Sequence, residues 1–142
     1  MKKTSTVLVC VTGQRDCDRL IRAGRQIADQ NGIEMHVLCV QPTSSGYDTS
    51  CEELEYLRQT AKNAGAEMTI YFNDETAAIA AGFIRQIGAV HLVTGMAASP
   101  ANGFIDIVHK LVPHIPISMV AKDETIYHIY PNSVKTALAA QT

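Results

Sequence analysis

The chain has 142 residues, the length of one compact domain. Apolar residues make up 46% and charged residues 18%, which supplies a real core and excludes wholesale disorder. Twelve basic against 14 acidic side chains give a net charge of −2, which excludes a dedicated binder of nucleic acid or of anionic membrane, since either needs a basic excess. Val7-Leu8-Val9-Cys10-Val11 reads as a strand buried on both faces, being β-branched and almost continuously apolar. Residues 15–31 read as a helix with Leu20, Gly24, Ile27 and Ala28 on one face, stopped by Asn31-Gly32. Met35 to Val40 is a second strand, followed by a polar loop from Gln41 to Thr49. Ser50 with Glu53 three residues on is a capping-box pattern, so a helix is expected there, with Leu54, Leu57, Ala61 and Ala64 as its stripe and Gly65 as its end.

Glu67 to Phe72 alternates, with Met68, Ile70 and Phe72 on one side, as a half-exposed edge strand does. Residues 75–87 form a small-residue helix through Ala77, Ala80, Ile84 and Ile87. Ala89 to Thr94 is another buried-type strand, Gly95 to Gly103 a loop, and residues 104–112 a helix with Phe104, Ile107, Val108 and Leu111 facing in. Ile115 to Ala121 closes the series, and Pro116 within it points to an edge. After Lys122 the rhythm stops: Thr125 to Tyr130 is β-prone, Pro131-Asn132 is a turn signal, and Ser133 is placed to cap a short helix ending at Ala139-Ala140. Ordered packing is expected for this tail, because its large apolar side chains are costly to leave in water at roughly 1.5–3 kcal/mol each.

Strands alternating with helices predict a parallel sheet with helices on both faces, a three-layer α/β/α sandwich. The first and fourth strands look central and the third and fifth look like edges, giving a five-stranded order 3-2-1-4-5. The order reverses between strands one and four, and ligands in such sheets bind at the carboxyl ends of the strands beside the reversal. The loops Thr12-Gly13-Gln14-Arg15 and Gly95 to Gly103 are therefore the place to look for function.

Catalysis finds little support there. No Gly-x-Ser-x-Gly elbow is present, and His36, His91, His109, His114 and His128 are scattered, so neither a catalytic set nor a metal site is expected. Cys10, Cys17, Cys39 and Cys51 are spaced by 7, 22 and 12 residues, which reads as free thiols in a cytoplasmic protein rather than as a zinc or disulfide framework. The apolar run behind Met1-Lys2-Lys3 is too short for a leader and no stretch is long enough to span a bilayer. Phosphate binding fits better, because glycine loops leading into helices offer free N–H groups at Gly13, Gly95 and Gly103, although neither a Walker A nor a Gly-x-Gly-x-x-Gly motif occurs.

The runs Val7 to Gly13, Arg19 to Ala28 and Met35 to Val40, continued by Leu54 to Leu57, Ala64 to Glu67 and Val93-Thr94-Gly95, resemble the universal stress protein family over residues 5–122. They look most like the stress-protein-like domain of potassium-sensing histidine kinases. The resemblance implies the adenine nucleotide alpha hydrolase-like fold, a non-enzymatic role in signalling or stress response, and a signalling partner protein. It also implies a homodimer through the fifth strand, Ile115 to Ala121, with an extension at 123–142 packing on the dimer partner. ATP-binding members carry Gly-x-x-Gly, nine residues, then Gly-[Ser/Thr], with an Asp ending strand one. This chain keeps Gly95, but has Ala98 at the second glycine, Val108-His109 at the later pair, and Thr12-Gly13 in place of the Asp. The triphosphate cradle is thus largely missing, while base and ribose contacts near Val40 and the end of strand one survive. The implied ligand is a weakly held ATP, AMP or cyclic dinucleotide, with Thr12, Gly13, Val40, Gly95, Met96, Ser99, Asn102 and Gly103 as candidate contacts.

Other readings need residues that are absent or thin here. A flavodoxin-like cofactor binder needs a hydroxyl-rich phosphate loop and stacking aromatics, yet the chain has no Trp. A receiver domain needs an acidic pair after strand one, and an ATP pyrophosphatase needs Ser-Gly-Gly-x-Asp-Ser there. A pure protein-interaction module remains the alternative without a nucleotide. Arg15, Arg19, Arg22 and Arg25 all fall on the first helix, so a locally basic surface beside the site is expected despite the net charge.

Overall fold

The computed structural model describes residues 5–43, 51–96 and 103–131. The elements are β1 (Thr6–Val11), a short 3-10 turn (Arg15–Cys17) running into α1 (Asp18–Asn31), β2 (Glu34–Gln41), α2 (Cys51–Asn63), β3 (Glu67–Phe72), α3 (Thr76–Ile87), β4 (Ala89–Gly95), α4 (Phe104–Leu111), β5 (Ile117–Val120) and β6 (Ile126–Ile129). They form one sheet of order β3-β2-β1-β4-β5-β6, in which the first five strands are parallel and β6 runs antiparallel to β5. The three-layer α/β fold and the 3-2-1-4-5 order are as the sequence predicts.

Alternation along the central strands feeds two cores. Val7, Val9, Val37 and Cys39 point to one face and pack under α1 and α2 with Leu20, Ile21 and Leu57. Leu8, Leu38, Leu92 and Ile117 point to the other and meet Ala80, Phe83, Ile84 and Val108 of α3 and α4. β1 is buried along its whole length, which requires helices on both faces. Gly32 ends α1 in the left-handed conformation at φ 64°, which an L side chain adopts only with strain.

Two expectations are corrected. The sheet has six strands, because Thr125 to Tyr130 folds back onto β5. Thr125 N–H donates to Asp123 Oδ1 and Ala121 N–H to Thr125 O, closing a turn that passes through Glu124 at φ 70°. β5 is therefore internal, and Pro116 sits just outside the strand with its carbonyl accepting Leu92 N–H. The sheet runs on past residue 122, and the β5 edge assigned to a dimer partner is taken by β6; among the described residues the free edges are β3 and β6. The second correction concerns α4, where Val108 is fully buried but Ile107 and Leu111 are 44% and 40% exposed. The expected cap at Ser50 and the helix after Ser133 lie outside the described residues.

Candidate functional site

A cleft of about 690 Å³ opens at the carboxyl ends of β1, β2, β4 and β5, within the size range of small-molecule sites. Its apolar wall includes Val11, Leu20, Val40, Phe104 and Met119, and its hydroxyls are Thr12, Thr76 and Thr94. The 3-10 turn before α1 and α4 itself begin without a side-chain cap, and α4 starts from Gly103 at φ 62°. The positive ends of both helical segments therefore lie at or near the cleft wall, a favourable place for negative charge.

Of the residues picked from sequence, Thr12, Val40, Gly95, Met96 and Gly103 line this cleft together. Gly13 is buried and is not part of the lining. Ser99 and Asn102 lie outside the described residues. Asp16, Asp106 and Lys122 are charged lining that sequence reasoning missed, while Arg19, expected beside the site with the other first-helix arginines, lines the cleft as well. The acidic signal was available in the first turn of α4, whereas nothing local marks the role of Arg19. Cys10 also lines the cleft, but burial, and secondarily Cys39, pushes its thiol up to about 12, so it stays protonated and unreactive.

The locally basic surface expected on the first helix is not what the fold presents, because each arginine meets an acid. Arg15 reaches Glu53 at 3.0 Å and stacks 4.2 Å above the Tyr56 ring. Arg22 pairs with Asp18 at 3.5 Å and Glu124 at 3.6 Å, and Arg25 with Asp29 at 2.8 Å while donating to Ala64 O. Arg19 approaches the Asp16 carboxylate at 3.5 Å, but its main partners are the carbonyls of Asp16 at 2.9 Å, Ala121 at 3.1 Å and Val120 at 3.3 Å. These arginines tie the start of α1 to α2 and to the β5–β6 turn.

The histidines described in β2, β4 and β6 act away from the cleft. His36 Nε2 lies 2.8 Å from Thr69 Oγ1, joining β2 to β3. Ser118 Oγ, fully buried, sits 2.7 Å from His91 Nε2 and 2.8 Å from His128 Nδ1, joining β4, β5 and β6. Burial lowers the pKa of both His36 and His91 from 6.5; Glu67 partly opposes this at His36, and His128 adds to it at His91. A lowered folded pKa means that the unfolded chain binds more protons as the pH falls through 6.5. Stability is thus complete above neutrality and falls as the medium is acidified. Urea melts at pH 7.5 and 5.5 should show the loss, and His91→Gln should reduce it; an unchanged difference in that variant would contradict the assignment. Among the described residues, no three or more His, Cys, Asp or Glu side chains gather in a way that could hold a metal. No described helix is long and apolar enough to cross a membrane.

No family model and no curated protein matches the chain. Solved structures do. A universal stress protein from Archaeoglobus fulgidus superposes with a TM-score of 0.59 at 16% identity, covering 82% of this chain and 93% of its own. The fold is that of the universal stress proteins. A universal stress protein from Archaeoglobus fulgidus in complex with dAMP gives 0.58 at 17% identity, covering 84% and 98%. A universal stress protein in complex with cAMP gives 0.61 at 15% identity, with the same coverages. Within this universal stress protein fold, Val108 and His109, the positions of the later glycine pair, fall inside α4, and Val108 is wholly buried. They form no phosphate loop, so the departure read from the sequence is structural as well as chemical.

Proposed function

We propose that this chain is a non-enzymatic, universal stress protein-like domain of the cytoplasm that acts in signalling or stress response by weakly holding an adenine nucleotide in its cleft. The observation that carries this reading is the cleft itself: a largely apolar space at the sheet's switch point, beside the starts of two helical segments. Neighbours of the same fold in complex with dAMP and with cAMP support the choice of ligand class. The resemblance to the domain of potassium-sensing histidine kinases supports a signalling role with a protein partner. A homodimer is part of the proposal, and backbone pairing between copies then falls to a free edge, β6 or β3, rather than to β5.

The test is thermal denaturation with ATP, ADP, AMP, cAMP, cyclic dinucleotides and FMN. A ligand at 100 times its Kd adds about 2.7 kcal/mol, which raises Tm by about 5–11 °C for a domain of this size. A Cβ at Gly95 meets Arg19 and Leu20 at an ordinary 3.6 Å, so Gly95→Leu is expected to fold, to crowd the cleft and to abolish the shift. No shift with any nucleotide would remove the ligand and leave protein interaction as the primary role, while a shift with FMN alone would favour a flavodoxin-like binder.

A further inference from the structure

We infer that the cleft selects nucleotides carrying a single negative charge, such as a cyclic monophosphate, against di- and triphosphates, and that Asp106 sets this limit. The inference rests on the nucleotide reading above and names its ligand class. Among the described residues, four charged side chains line the cleft: Asp16, Arg19, Asp106 and Lys122. Arg19 is engaged by Ala121 O, Val120 O and Asp16 O, with Asp16 Oδ2 at 3.5 Å, so that pair is internally neutral and its donors are directed at protein. Asp106 and Lys122 remain, one charge of each sign, and neither forms an ion pair among the described residues.

Position gives Asp106 its effect. It lies in the first turn of α4, where the helix dipole favours a negative charge. A phosphate approaching that helix end meets a carboxylate already placed there, and the repulsion grows with each charge on the ligand. Lys122 matches one phosphodiester charge. A triphosphate brings roughly three to four negative charges to a lining whose fixed charges, among the described residues, sum to zero.

Isothermal titration with adenosine, cAMP and ATP, without magnesium and at fixed ionic strength, tests the inference on the full chain. Wild type is expected to bind cAMP at least about 100-fold more tightly than ATP. Asp106→Asn, an exposed position, is expected to raise ATP affinity about tenfold and cAMP affinity no more than about threefold. Raising the salt should narrow the wild-type gap by screening, a readout that needs no variant. ATP binding as tight as cAMP in wild type, or equal gains for both in Asp106→Asn, overturns the charge limit while the nucleotide reading stands. Failure of adenosine, cAMP and ATP alike to bind overturns both.

Discussion

Gly24→Ala is expected to destabilise the protein by about 2 kcal/mol, although alanine is normally preferred to glycine inside a helix by roughly 0.5–1 kcal/mol. A Cβ at Gly24 would stand 2.3 Å from Val9 Cγ2 and 3.1 Å from Met35 Sδ. The backbone of α1 therefore lies directly on β1, and the added methyl has no free space. Met35 has an unbranched chain and moves readily, but Val9 is β-branched, fully buried and confined in χ1, so the strain falls on the helix–sheet spacing. Since α1 also forms one wall of the cleft through Arg19 and Leu20, lifting it should weaken nucleotide binding too. Val9→Ala makes room, so the double variant should be more stable than the sum of the single effects by about 1 kcal/mol or more. Gly82→Ala is the internal control: Gly82 lies in α3 with nothing within 4 Å of a Cβ, and this change should stabilise by about 0.4–1 kcal/mol. Denaturant melts of the four variants and wild type decide the matter; a Gly24→Ala midpoint at or above wild type would show that the helix accommodates the methyl.

Gly24 also illustrates what the sequence makes legible. Its place on the apolar face of the first helix is plain from spacing, and so are β1, β2 and β4, whose apolar runs are continuous because both faces are covered. The sixth strand is legible only as a β-prone stretch, Thr125 to Tyr130, without the neighbour it pairs with. In Ile126–Ile129 the two isoleucines are half-buried while Tyr127 and His128 face water, and what fixes the strand is pairing to β5, a tertiary fact. Ile107 and Leu111 were misplaced inward because α4 carries Phe104, Ile105, Ile107, Val108 and Leu111, more apolar side chains than one buried stripe accepts. At the site, the switch-point rule locates the two loops, and Thr12, Val40, Gly95, Met96 and Gly103 meet at one cleft as a result. Gly13 shows the weakness of a glycine after a strand as a ligand signal, since here it is buried. The charge pattern was misread for a different reason. Runs of arginine are visible in a sequence, but their partners Glu53, Glu124 and the carbonyls of β5 come from distant elements.

Arg19→Met is expected to cost about 2–4 kcal/mol, because this side chain joins three elements from a nearly buried position. It is 10% exposed, and its Nε and Nη2 donate to Ala121 O and Val120 O from over a hundred residues away in the chain. Val120 O also accepts Met96 N–H, so the ends of β4 and β5 and the start of α1 meet at one carbonyl below the cleft. A hydrogen bond from a charged donor contributes about 1.5–3 kcal/mol, and methionine retains the apolar stem while removing all three donating nitrogens, the Nη1 bond to Asp16 O included. Truncation to alanine would mix lost packing with lost hydrogen bonding, which is why methionine is the sharper test. Lysine supplies one point charge in place of a planar fork and is expected to recover less than half of the loss. The loss should also be local: Ala121 N–H and Glu124 N–H close the β5–β6 turn, and their hydrogen exchange should accelerate more than that of β1 amides. Both measurements are needed together, since a general loss of stability would raise exchange everywhere. If Arg19→Met melts within about 0.5 kcal/mol of wild type, the guanidinium is not holding these carbonyls. Its charge would then be available to the cleft, and the charge limit assigned to Asp106 would have to be redrawn with one more cation.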